Sequence, residues 1–562
     1  MGKHNPDMKK KVLVVGAGAA GMSCAQQLAE HPDKFEVTLV EAVGYCGGQA
    51  FSIDIDEKKF GAKWLNQGVQ GGSFIYHHTM RMFERVGFKA DPVKLQVAFG
   101  KDDTFWTNVY PTKLLADNEE NIRTFKKMLT IVHWLEPLLG LLPIKHLAKL
   151  FWLPTSFTNF ILLPMVALFL GTGNYTPEVP SIILERLCTS PTYGMWYPPD
   201  KVSVASNLPP MIVFPNLTEF YGAWQKKLEK MGVKIRLNTE VTEVVSRDKR
   251  GVVVKIKGKN YDQNGGSDGE DAEGESNNYD SPAKFESYDE IVLCVLADTA
   301  KRILAKSASF TEKRILGSCK FSNDITVTHC DTEYIKRYYE HAFNEEQAVS
   351  TLGGTDQSDR VKFAQENFKP MYLVRTNEEE ASKLDLCFDC SNYQGQFPPD
   401  LPFEQHIFQT IFLNRERDSY LWTIDEIDQD KIIQKNWWHQ LCHSWTHYAL
   451  VVPWLWLIQG RRRTRFAASW TLVNAHEVAC ISGISAAVNL GAEYPRELER
   501  DKFAFLAFRL YYLFQYRSWY SRRLEKGDEG EGHDWATGYN GSVYQGPGVS
   551  KEERSMWKEE QA

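Results

Sequence analysis

The run Val12-Leu13-Val14-Val15, followed at once by Gly16-Ala17-Gly18-Ala19-Ala20-Gly21, leaves the start of this chain little choice of fold. Four apolar residues, three of them β-branched, read as a buried parallel strand, and the glycines open a helix behind it. Each glycine has its own job in such a turn. Gly16 permits the tight reversal, Gly18 lets the backbone approach a pyrophosphate, and Gly21 lets helix and strand pack closely. The helix start, with Ala20 in its first turn, offers unpaired amides and the positive end of the helix dipole. A second strand, Glu36 to Val40, ends on Glu41, twenty residues beyond Gly21. A carboxylate at that distance accepts hydrogen bonds from a ribose. The stretch reads as a grip on a dinucleotide.

Glu41 is followed by Ala42 and, after a short loop, by Cys46-Gly47-Gly48-Gln49. A second diglycine behind the ribose acid resembles the FAD-binding families related to glutathione reductase and the flavin amine oxidases. There it passes under the ribityl-phosphate part of FAD, which implies Ala42, Gly48 and Gln49 as further cofactor contacts. Asn238 to Val244 is similar to the segment in which such flavoproteins hold adenine through a valine backbone, and Val241 is the matching residue.

Arg465 to Gly491, RFAASWTLVNAHEVACISGISAAVNLG, resembles the segment that closes the flavin site in amine oxidases and phytoene desaturases. The resemblance implies Trp470, Thr471, His476, Glu477 and Val478 around the cofactor. It also implies a helix whose positive end faces the pyrimidine side of the ring, where reduced flavin gathers negative charge. Ser482-Gly483 and Ala486-Ala487 allow that helix to pack closely. Two such signatures at opposite ends of the chain point to FAD rather than NAD. The whole is similar to the predicted FAD-binding oxidoreductases beside the flavin amine oxidases. His329 to Thr332 and Leu162 to Met165 resemble a bacterial branch associated with lipid modification.

What the resemblance implies is an α/β chain with a glutathione-reductase-type Rossmann FAD-binding domain and an inserted α+β substrate domain. The FAD-binding domain is expected from 1–75, 215–305 and 460–498, and the substrate domain from 76–214 and 306–459. An acidic loop, 258–282, and a C-terminal helix with a disordered tail, 499–562, complete the layout. The length, 562 residues, suits two or three interleaved domains. In the related flavoproteins the segment matching Gly61 to Gly72, GAKWLNQGVQGG, runs beside the flavin ring. Lys63, Trp64 and Gln67 are therefore catalytic candidates. His78, on a helix read over Ser73 to Gly87, and Tyr193, in the aromatic loop Thr189 to Pro199, join them. His77 and His78 together read more readily as structural.

A net charge of −7 offers no basic field for nucleic acid. Ten scattered cysteines fit a reducing compartment, and Cys387 with Cys390 reads as buried thiols rather than a zinc or dithiol site. No metal is expected; Cys442, His443 and His447 read as core. The polar N-terminus has no apolar signal region. The chain is expected in the cytoplasm, with peripheral membrane contact and an oligomer both open. Leu129 to Gly171 is the most apolar stretch, but Pro154 and Pro164 interrupt it, so short buried helices are expected, with a cavity opening toward lipid as the alternative. Asp501 to Lys526 reads as an aromatic, basic helix, lying on a membrane or docked on protein.

The function so implied is an FAD-dependent oxidoreductase taking a hydride from a small apolar organic substrate, as oxidase, desaturase or dehydrogenase. A flavin-dependent double-bond isomerase of a fatty acid or polyene is one alternative. A non-catalytic FAD-binding scaffold is the alternative of another class.

Overall fold

The structure, a computed structural model, describes residues 9–170, 173–189, 204, 211–258 and 283–521. The acidic loop from residue 259 to 282, Tyr193 with its aromatic loop, and the tail beyond 521 lie outside the described residues.

Five parallel strands form the nucleotide-binding sheet in the order Lys234–Arg236, Phe35–Val40, Lys10–Val15, Glu290–Leu293, Thr464–Phe466. The first two strands of the chain lie side by side, and strands from its middle and end complete the sheet on either side of them. Val12 sits opposite Val37 on one side and Glu290 on the other. The strands are apolar without alternation because helices cover both faces. On one face lies the helix Ala19–Ala29, every residue of which is buried. It runs between the sheet and the helix His476–Leu490, which we call the closing helix.

Glycine sets these distances. A Cβ on Gly21 would stand 1.8 Å from the Gly16 carbonyl oxygen, and one on Gly483 would stand 2.0 Å from that of Ala20. The backbones themselves therefore touch at both crossings. Beside the sheet, an antiparallel meander of Thr239–Asp248, Gly251–Gly258 and Lys284–Tyr288 is tied down by a buried ion pair. Arg247 donates to both carboxylate oxygens of Glu312, to Thr464 Oγ1 and to the Ser307 carbonyl, so the desolvated charges keep their partners.

A second sheet of seven strands stands apart, in the order Ile432–Leu441, Phe321–His329, Phe408–Phe412, Leu384–Asp389, Tyr372–Thr376, Val97–Phe99, Trp106–Thr107. All its pairs are antiparallel except Tyr372–Thr376 with Val97–Phe99. A hairpin, Ala50–Asp54 with Trp64–Gly68, reaches between the two sheets. The helix read over Ser73 to Gly87 is shorter, His77–Arg85, because Gly71–Ser73 is drawn into a strand against Met211–Val213.

From Leu129 to Leu170 the chain folds as short helices, and among the described residues no helix is long and apolar enough to cross a membrane. The C-terminal helix spans Lys502–Tyr516 and stops where Arg517 turns to φ 53°. Of the two readings of this helix, protein docking describes its inner face. Ala504, Phe505, Phe508, Tyr511 and Tyr512 are buried in the same core as the closing helix.

Gly483→Leu should destabilise the fold by about 3 kcal/mol or prevent folding, since a backbone oxygen cannot move aside as a side chain can. Gly222, inside the helix Leu217–Lys230, has nothing within 4 Å of its Cβ direction. Gly222→Ala should leave stability unchanged or raise it by about 0.5–1 kcal/mol. Thermal and denaturant unfolding of the two variants measures both effects.

Candidate dinucleotide cleft

A cleft of about 360 Å³ opens at the carboxyl ends of the parallel strands, where Val15, Val40 and Cys294 line it. This is where doubly wound sheets place their ligands. Its floor is the glycine turn. Gly16, at φ +99°, is crowded, and a Cβ there would stand 2.6 Å from the Cys294 carbonyl oxygen. Gly18 is not crowded: a Cβ would meet nothing nearer than the Gly47 carbonyl oxygen at 4.0 Å. Gly16 and Gly21 therefore serve packing, while Gly18 keeps the cleft clear. Gly48 faces it, and a Cβ on Gly48, at φ +62°, would lie 3.5 Å from the Gly18 Cα. The two glycine loops are stitched together by Gly47 N–H donating to the Ala17 carbonyl at 2.9 Å.

Gly18 is the N-cap of the Ala19–Ala29 helix and has no side chain to satisfy the first amides, which face the cleft with Ala19 and Ala20. Glu41 ends the second strand on the cleft wall. Its carboxylate accepts from Ala17 N–H at 2.7 Å and Val43 N–H at 3.2 Å. Burial raises its pKa, against the lowering effect of these amides. Ala42, Gln49 and Val241 also line the cleft, and Gln49 donates weakly to the His439 carbonyl at 3.4 Å.

Of the residues expected on the closing segment, one reaches the cleft. His476 lines it beside Asn474, Ala475 and Ala479. Its Nε2 is 2.7 Å from the Tyr221 hydroxyl and its Nδ1 is 2.9 Å from Thr79 Oγ1. Burial pushes its pKa down to about 4, so the ring is neutral. The other four lie behind the wall. Trp470 is buried and donates to the Val295 carbonyl at 3.0 Å. Thr471 bonds Ala468 and Tyr511, and Val478 packs into the core. Glu477 turns away to cap the His77–Arg85 helix, accepting from His78 N–H at 3.0 Å and Thr79 N–H at 2.8 Å. Burial acts to raise its pKa, but His78 and these amides outweigh it, so the carboxyl is held below the usual range.

The catalytic candidates fare differently. Lys63 is 73% exposed, paired with Glu57 at 3.7 Å, at the end of the hairpin opposite the cleft. Four residue steps take the strand from Trp64 to Gly68, roughly 13 Å. Trp64 is half-buried at that far end, where its carbonyl accepts from Gln396. Neither residue can act at the cleft. His78 is fully buried, with Nδ1 2.6 Å from Glu477 and Nε2 2.8 Å from the Tyr494 hydroxyl, and it has a structural role. Among the described candidates Gln67 stands nearest, two residues before the cleft-lining Val69, but it is buried and bonded to Thr328 and Asn436.

Sequence reasoning missed Tyr221, Arg302 and an amide cluster. Tyr221 reads only as a core aromatic of an amphipathic helix. Arg302 lies on the helix that follows the Glu290–Leu293 strand, a position a doubly wound sheet assigns to ligands. Where the hairpin meets the seven-stranded sheet, Asn66, Gln70, Gln394 and Gln409 are buried and saturate one another. Gln70 donates to Gln409 at 2.6 Å, and Gln394 to Gln70 at 2.8 Å.

A model of the NAD(P)-binding Rossmann-like domain matches residues 14–86. A CLA-producing fatty acid isomerase from P. acnes superposes with a TM-score of 0.54 at 13% identity, over 87% of this chain and 100% of that one. Putrescine oxidase bound to putrescine superposes with 0.53 at 13% identity, over 86% and 100%. The fold is the one these solved structures share. Cyclohexylamine oxidase from Brevibacterium oxydans IH-35A shares this fold, with a TM-score of 0.51 at 11% identity over 86% of this chain and 99% of that one. No curated protein matches the chain in sequence.

Besides His476, burial pushes His447 down to about 4 and His329 and His443 down to about 3. Unfolded imidazoles protonate near 6.5. On acidification below that value the unfolded chain takes up protons that the native fold refuses. Stability should therefore fall by about 1.4 kcal/mol per pH unit for each such histidine as pH drops toward 4. Melting temperature should decline steadily from pH about 6.5 downward, and His447→Gln should flatten that slope.

Proposed function

We propose that this chain is an FAD-dependent oxidoreductase acting on an apolar organic substrate. The observation that carries the reading is the pairing of Gly18 and Gly48 across a cleft floor from which both lack side chains, while the neighbouring glycines are consumed by packing. A pyrophosphate needs that bare backbone, together with the unpaired amides at a helix start.

The remaining lining residues fit the other parts of FAD. Thr239, Val241 and Arg302 would enclose the adenine, and the Glu41 carboxylate would accept from the ribose hydroxyls. Gly48, Gln49, Ala50, Val69 and Asn474 to His476 would surround the ring end. Bound flavin supplies the redox chemistry by taking a hydride from carbon and passing the electrons on. The chain's part is to bind, orient and exclude water. The closing helix, whose first turn at Ala475 has no side-chain cap, would offer its positive end to a bound ring. His476 stays neutral and holds that turn through Tyr221 and Thr79, so no proton leaves or enters there near neutral pH. Trp438 presses against Gly68, whose added Cβ would stand 2.8 Å from the indole ring, and so shields the hairpin side.

A second reading has its own support. The fatty acid isomerase superposes as well as the amine oxidases do, which supports hydride return to a different carbon with no net oxidation.

The purified protein should carry stoichiometric yellow flavin. Gly18→Val should fold, since nothing crowds that position, and should melt with the parent when both are flavin-free, yet it should lose at least about nine-tenths of the bound flavin because the pyrophosphate is excluded. Retained flavin in that variant refutes the assignment. Anaerobic mixing with fatty acids, polyenes and amines then sorts the readings: lasting bleaching marks an oxidoreductase, and a product isomer without bleaching marks an isomerase.

A further inference from the structure

The short helices Glu119–Trp134, Glu136–Leu139 and Ile144–Leu150 all pack on the helix Ser181–Thr189. Their inner residues, Val132, Ile144 and Leu147 among them, are buried in one core. Their outer side is not covered by anything described. Trp134 is 77% exposed, Leu138 79% and Trp152 89%, with Leu141 and Leu150 about half exposed beside them. Trp152 is also held at φ +52°, a backbone state disfavoured for a bulky side chain, on the turn that follows the third helix. Isolated exposed apolar residues need no explanation, but a cluster of tryptophan and leucine on one segment marks an interaction surface.

Charge identifies the partner. From residue 126 to 156 the chain has four lysines, two histidines and a single acid, Glu136, which pairs with Arg186, itself shared with Glu185. Lys127 and Lys149 have no acidic partner among the described residues. Beside Trp152 lies a cavity of about 340 Å³ lined by Lys145, Lys149, Thr155, Lys383 and Arg417, large enough for a phosphate group. Lys383 and Arg417 share Asp418, and Lys145 pairs with Glu178, so the cavity wall is charged on both sides but cationic in sum. Lysine is depleted from protein–protein interfaces, whereas an anionic leaflet attracts it, and tryptophan settles at the headgroup level.

We propose that the outer face of residues 127–152 docks the protein on the surface of an anionic phospholipid bilayer, with Trp134, Leu138 and Trp152 inserted among the headgroups and Lys127 and Lys149 on the phosphates. The attachment is peripheral, since short helices with buried inner sides can only lie in the interface. It needs no cofactor and stands whether or not the flavin reading does.

Flotation of the full-length protein with vesicles tests this, comparing phosphatidylcholine alone with phosphatidylcholine containing about one third phosphatidylglycerol. The protein should float with the anionic vesicles, and Trp134→Glu/Trp152→Glu should weaken that binding at least about tenfold with melting temperature unchanged. Lys127→Glu/Lys149→Glu, which leaves the apolar residues in place, should abolish the preference for anionic vesicles. That variant keeps the proposal testable if the tryptophan variant fails to fold. Leu506→Glu/Leu510→Glu, on the exposed side of the C-terminal helix, should bind as the parent does. Absence of flotation, loss of binding only in the C-terminal variant, or a dimer in light scattering that Trp152→Glu dissolves while vesicles are ignored would each overturn the proposal.

Discussion

Two helices from opposite ends of the chain meet with no side chain between them, Gly483 of one lying against the Ala20 carbonyl of the other. Close approach of this kind is what gives the cleft its shape. It lets the Ala19–Ala29 helix lie flat on the sheet, with its first turn aimed at the cleft floor, and brings Asn474 to His476 to the opposite wall. A side chain at either crossing would push the walls apart by more than any polar contact in the cleft could draw back. The smaller ties, Gly47 to Ala17 and Gly16 to Val40, only finish what this packing begins.

Polar groups then hold what packing has placed. Behind the cleft wall Glu477 caps a helix and bonds His78, which bonds Tyr494, so three buried groups satisfy one another in sequence. The amides of Asn66, Gln70, Gln394 and Gln409 do the same between the hairpin and the seven-stranded sheet. Each such group would cost about 1–3 kcal/mol if left unpaired. Because a saturated network tolerates few geometries, it determines the angle at which the hairpin enters between the two sheets.

The nucleotide half of the fold was legible because its signals are local. Val12 to Gly21 encodes strand, turn and helix within a dozen residues, and Glu41 falls at a distance set by one helix and one strand. The closing segment was legible as a helix but misread as a set of contacts. Residues read there as lining in fact support the wall: helix periodicity turns Glu477 away from the side that His476 faces, and Trp470, in the turn before that helix, is drawn inward to the Val295 carbonyl. Lys63 was misplaced for a related reason: being near Gly68 in sequence puts a residue near the cleft only if the chain does not run away from it, and in a hairpin strand it does. Tyr221 and the amide cluster depend on pairings between distant segments, which no single stretch records.

The sheet order has a further consequence in time. The central strand Lys10–Val15 gains its second neighbour only with Glu290–Leu293, and the sheet is not finished until Thr464–Phe466 has been made. At a synthesis rate of about 5–20 residues per second, the closing helix emerges roughly half a minute or more after the glycine turn that it must cover. Until then the side of the Ala19–Ala29 helix that the closing helix covers has no partner. The earliest-made part of the binding site is thus among the last to be completed, so a nascent chain has to be kept from aggregating through the segment that begins it.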